Sequence, residues 1–102
     1  KHNNVWGVGT DVDQYFSFPE VAEIMLTTAI KGLDNSIYDV VKSFTENKFN
    51  GGTTYHGKLD NSGVSLAPYH NADLIVADSI KTEVENIKVQ IINGNLSSGW
   101  PD

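Results

Sequence analysis

Three oxygen-bearing side chains, Asp11, Asp13 and Gln14, follow directly on the run Val5-Trp6-Gly7-Val8-Gly9-Thr10. That run is short, aromatic and β-branched, which predicts a buried strand with polar residues at its carboxyl end. Open α/β sheets hold their ligands at the carboxyl ends of strands. A carboxylate at Asp11 can accept two hydrogen bonds from vicinal hydroxyls, the arrangement a ribose offers, or it can cap the strand by accepting from backbone amides. Asp13 and Gln14 invite comparison with a cation-binding loop. A calcium loop needs further ligands and a bidentate acid at its end, however, and Phe18-Pro19 supplies neither, so no metal is expected. Asp11 and Asp13, two apart on a strand, share a face and form the sole pair suited to acid–base work, but nothing supplies an activated nucleophile. His2, His56 and His70 show no metal-ligand spacing, so a surface or hydrogen-bonded role is expected of each. With no Ser-His-Asp order, phosphate-binding glycine loop or zinc motif, neither enzymatic activity nor a cofactor is expected.

Three aromatic residues flank the acidic run. Trp6 is expected in the core, whereas Phe16 and Phe18, in a loop over Tyr15 to Pro19, are placed to line the mouth of a cleft. Lys31 is the cation that follows in sequence; taken alone it reads as a solvated lysine on a helix face.

The elements that must position these residues follow from periodicity. From Glu20 to about Asn47 the apolar positions Leu26, Ile30, Leu33, Ile37, Val41 and Phe44 recur three or four apart, which predicts one stripe of a long helix. Gly32 in its middle costs about 1 kcal/mol relative to alanine and marks a close approach, a bend or a break into two helices. Asn50-Gly51-Gly52 ends the helical region, and residues 53–59 are β-prone. After a turn at residues 60–63, residues 64–69 form a second extended piece, with Pro68 at an edge or at its end. The stripe Ile80, Val84, Ile87 and Ile91 predicts a helix beyond Asp73, with Asp78 and Glu83 toward its positive end and Gly94 as its stop. Residues 96–102 read as an irregular tail. The expected arrangement sets the strand ending near Thr10 beside residues 64–67, both packed on the long helix.

Composition bounds the rest. A chain of 102 residues makes one domain at most, with a single shallow core. Thirteen acidic residues against seven basic ones give a net charge of −6, the wrong sign for phosphate-backbone binding, so nucleic acid is an unsuitable partner. The absence of cysteine excludes disulfides and thiolate sites. No stretch is apolar for long enough to cross a bilayer. The opening Lys1-His2-Asn3-Asn4 lacks the pattern of a signal peptide, which suits a trimmed or internal start.

The strand end Val8-Gly9-Thr10-Asp11-Val12-Asp13-Gln14, the segment Leu26-Thr27-Thr28-Ala29-Ile30-Lys31, the run Gly63-Val64-Ser65-Leu66-Ala67-Pro68-Tyr69-His70 and the end Ile91-Ile92-Asn93-Gly94 occur in that order. Together they resemble the last third of basic-membrane-protein lipoproteins, and the resemblance spans nearly the whole chain. It implies the type I periplasmic-binding-protein fold, an α/β receptor of two lobes with a ligand cleft between them. This chain would be a single-domain C-terminal fragment, residues 1–102, in which few strands pack with two main helices. The resemblance further implies a solute receptor, most readily for a purine nucleoside, that feeds an ABC-type permease and is lipid-anchored at the bacterial cell surface or in the periplasm. It assigns ribose recognition to Asp11 with help from Lys31, and leaves most base-stacking aromatics to the remainder of the receptor. The chain departs from the pattern in a longer loop at Tyr15 to Pro19 and in Thr10, where a small apolar residue is commoner. A surface adhesin or regulatory protein that retains the receptor fold is the competing function.

Overall fold

A computed structural model describes residues 5–99. The expectations placed on His2 and on residues 100–102 of the tail lie outside the described residues. The chain is a small mixed α/β domain built on a three-stranded sheet in the order β1 (Gly7–Asp11), β2 (Met25–Lys31), β3 (Val64–Leu66). β1 and β2 run parallel, with Asp11 opposite Ile30 and a register irregularity between Gly7 and Val8. β2 and β3 run antiparallel, with Lys31 opposite Val64. The strand at Thr10 and the segment at residues 64–67 are therefore not adjacent, because β2 lies between them.

β2 overturns the long helix expected from Glu20 to Asn47. Residues Pro19–Ile24 form 3-10 turns, Met25–Lys31 is strand, and only Leu33–Thr45 is α-helix, α2. The physical reason lies in the spacing. Leu26 and Ile30 stand four apart, an interval that repeats on one face of a strand as well as on one face of a helix. Between them Thr27 and Thr28 carry branched side chains that fit a pleated strand better than a helix. Lys31 is accordingly a strand-end residue and not a helix-face one.

Gly32 makes the break. It is the N-cap of α2, and its amide donates to the Gly63 carbonyl at 2.9 Å. A Cβ at this position would run into the Ser62 carbonyl oxygen, so only glycine lets the two chain segments meet here. Asp34 in the first turn and Lys42 in the last complement the dipole of α2. The loop expected at Tyr15 to Pro19 holds a one-turn helix, α1 (Gln14–Ser17), capped by Asp13. The β-prone residues 53–59 form no strand, and the extended piece at residues 64–69 is a strand only over Val64–Leu66, which ends before Pro68. The predicted C-terminal helix is present as α3 (Asp78–Ile92), preceded by a 3-10 turn at His70–Leu74 and closed by Gly94 at φ 73.

The core is shallow, as the chain length predicts, and neither apolar stripe is buried in it. Met25, Ala67, Ala72 and Thr28 are buried, and neither α2 nor α3 contributes a buried residue. On α2 the stripe exists, but Leu33, Ile37, Val41 and Phe44 are each more than half exposed, so the expected packing of this stripe on the sheet is not found. Leu26 and Ile30, the part of the stripe meant to hold the helix to the strands, belong to β2 itself. Trp6, expected in the core, is 46% exposed beside the edge strand β1. The radius of gyration is 16.5 Å, against about 13 Å for a compact chain of this length.

Candidate functional site

β1 and β2 run parallel, so their carboxyl ends share one edge of the sheet. Asp11 closes β1 and Lys31 closes β2, one register step apart. The Lys31 ammonium lies 3.6 Å from the Asp11 carboxylate, and both side chains are more than half exposed. An ion pair this open to water stabilises a fold by at most about 1 kcal/mol. It leaves acceptor lone pairs on the carboxylate and donor protons on the ammonium. An acceptor and a donor side by side at a strand end can together hold two neighbouring hydroxyl groups.

Asp11 has φ 82, a left-handed conformation that a residue with a Cβ adopts only at a cost of about 1–2 kcal/mol. Its carboxylate binds no backbone amide of the described residues. Capping falls instead to Asp13, whose Oδ1 accepts from the Tyr15 amide at 3.1 Å at the start of α1. Gln14 is turned inward: its amide N–H donates to the hydroxyl of the fully buried Thr28 at 3.2 Å, and its side-chain amide donates to the Thr10 carbonyl at 3.1 Å. Gly9 leaves the room for this, since a Cβ there would press on both the Gln14 and Thr28 side chains. Asp13 and Gln14 thus build the turn behind Asp11.

Of the two loop aromatics, Phe16 is 70% and Phe18 50% exposed. Phe16 stands edge-on to Tyr15 and to His70, each at 5.1 Å between ring centroids. No such ring contact holds Phe18 among the described residues. Sequence reasoning gave His70 a surface or hydrogen-bonded role but did not pair it with Tyr15, and the two rings meet in parallel at 4.2 Å. His70 also donates from Nε2 to Asp13 Oδ2 at 2.7 Å. The pair spans 57 residues of sequence, so no local spacing announces it.

Away from this edge, Leu33, Ser36, Ile37, Val40, Val41 and Tyr55 line an open groove of about 290 Å³ on α2. The Tyr55 hydroxyl donates to the Asp39 carboxylate at 2.7 Å, and that bond to an anion holds the phenol above its ordinary pKa. Among the described residues no helix is long and apolar enough to cross a membrane. Comparison with known proteins finds no family model and no curated protein that matches the chain.

Proposed function

We propose that this chain forms part of the C-terminal lobe of a two-lobed nucleoside receptor, in which Asp11 and Lys31 receive the ribose hydroxyls. One observation carries the reading: two oppositely charged side chains stand 3.6 Å apart at the carboxyl ends of adjacent parallel strands, open to solvent. The carboxylate accepts from the two hydroxyls, and the ammonium donates to one of their oxygens. Phe16, exposed on the turn that follows, offers a ring face or edge to whatever lies beside the sugar, and Phe18 stands at the outer rim. The role is binding without catalysis, as the solute-recognising component of an ABC-type uptake system. The whole receptor is lipid-anchored on the bacterial cell surface or in the periplasm, and meets its permease there.

The exposed stripe of α2, with Ile80 and Ile87 of α3, supports the same reading, because a lobe completed by other parts of the receptor needs apolar faces for them to cover. The test is a thermal-shift screen of the intact receptor with nucleosides, sugars and amino acids, since a ligand that binds only the native state raises its midpoint. Purine nucleosides should raise it, while sugars and amino acids leave it in place. A shift with amino acids alone, or with nothing, would favour another ligand class or an adhesive or regulatory role.

A further inference from the structure

The carboxylate of Asp13 is engaged at both oxygens: Oδ1 holds the Tyr15 amide, and Oδ2 accepts from His70. The Asp13 and His70 side chains are only 19% and 18% exposed, far less than the Asp11 and Lys31 pair two residues away. Tyr15 adds two more ties to the same place, as its ring lies within 17° of parallel to the imidazole and its hydroxyl donates to Asn71 Oδ1 at 3.1 Å. The Tyr15 amide bond is the cap of α1 itself, and the other three contacts join α1 to the turn at His70–Leu74. That turn is itself fixed, with Ala72 buried and Lys81 bonded to both the carbonyl and the carboxylate of Asp73. His70 has φ 49, so the turn holds a residue with a Cβ in the left-handed region in order to present the ring.

One residue, Val12, separates Asp11 from Asp13, so the placement of Asp13 sets the direction of the chain at Asp11. We propose that Asp13 and His70 are positioning residues for the Asp11 site, a latch that fixes the start of α1 and with it the orientation of the Asp11 carboxylate. The proposal rests on the nucleoside reading. It makes a distinction that a merely structural pair would not. Loss of the latch should reduce recognition of ribose hydroxyls more than recognition of the base.

The experiment compares inosine with 2′,3′-dideoxyinosine by calorimetry on the intact receptor, with His70→Phe as the central variant. Phenylalanine keeps a ring to stack on Tyr15 and removes the bond to Asp13. Inosine should bind about tenfold more weakly, and the dideoxy compound should change by less than about twofold. Amide exchange over residues 11–18 should quicken while that of β2 stays as in the wild type. Equal losses for both ligands with a lowered melting temperature, or unchanged exchange over residues 11–18, overturn the latch. Asp11→Ala in the same assay separates the two layers. If it leaves inosine binding untouched, the nucleoside reading and the latch fall together; if it abolishes binding while His70→Phe is silent, only the latch falls.

Discussion

The carboxyl edge of the sheet and the outer face of α2 are both largely exposed, but they are built in opposite ways. At the sheet edge the turn after Asp11 is held by side chains: Gln14 on Thr28 and Thr10, Asp13 on Tyr15 and His70, Tyr15 on Asn71. Two residues with a Cβ, Asp11 and His70, are kept at positive φ there. On α2, Leu33, Ile37, Val41 and Phe44 stand in a row, each more than half exposed, with only Tyr55 beside their groove and Phe49 edge-on to Phe44. Under the proposed function the first pattern suits a small polar ligand, where fixed donors and acceptors set orientation. The second suits cover by other parts of the proposed receptor, where area matters and direction does not. The two kinds of exposure therefore predict different responses to substitution.

The largest response belongs to the α2 face. Val41→Asp in the intact receptor should cost about 3 kcal/mol of stability, because a covered apolar site would have to take up a charge. In the isolated chain, where Val41 is 56% exposed, the same change should stay within about 0.5 kcal/mol. Urea denaturation of both forms measures the difference, and equal effects would mean that nothing covers this face. Next comes Gly32→Ala at the junction of β2 and α2, with an expected loss of about 2 kcal/mol as the backbone yields around Ser62. Lys31 is its neighbour, so the variant should also weaken ligand binding, and a loss of stability with full affinity would separate the junction from the site.

A smaller effect is expected at Thr28, which has no exposed surface and accepts from the Gln14 amide at 3.2 Å. Thr28→Val keeps the shape and leaves that amide without its partner, at a cost of about 1–2 kcal/mol by chemical denaturation. The smallest lies at Lys81, whose pKa is raised above the ordinary lysine value by its hydrogen bond to Asp73 and by the nearby charges of Asp73 and Asp78. A raised pKa means that the folded state binds the proton more tightly than the unfolded one. The stabilisation is then complete below the ordinary lysine range and fades as the pH rises through the raised value. Lys81→Met should abolish that alkaline part of the stability profile, and should lower the midpoint at neutral pH only slightly. An identical alkaline profile in the variant would place the effect on other groups.

How much of this was legible in the sequence differs between the two regions as well. The strand before Asp11 and the helix beyond Asp78 were legible, because a short β-branched run and a long three-and-four spacing each fit one element better than the other. Residues 25–31 were not, since Leu26 and Ile30 satisfy both periods and the choice is made by pairing with strands on either side, which lie far away in sequence. Asp11 is legible from its strand-end position and Lys31 from the resemblance alone, but the spacing puts the lysine on a helix where the structure has the end of β2. In the sequence Asp13 invites a cation-ligand reading or an acid–base reading with Asp11, and nothing ties it to His70. Its bond to His70 depends on how residues 64–74 fold back along β2, and a tertiary contact of that reach leaves no local trace.

The central claim is that Asp11 recognises ribose hydroxyls, and the most direct measurement is the affinity of Asp11→Ala in the intact receptor for a ribonucleoside and for its 2′,3′-dideoxy counterpart. The exposed carboxylate binds no backbone amide of the described residues, so its removal should leave the melting temperature in place. It should weaken the ribonucleoside by about 2–4 kcal/mol, since a charge-assisted bond is lost and buried hydroxyls go unpaired. The dideoxy compound has no hydroxyls to present there, and should bind the wild type poorly and change little in the variant. Equal losses for both ligands, together with a lowered melting temperature, would show that Asp11 serves the fold and not the sugar.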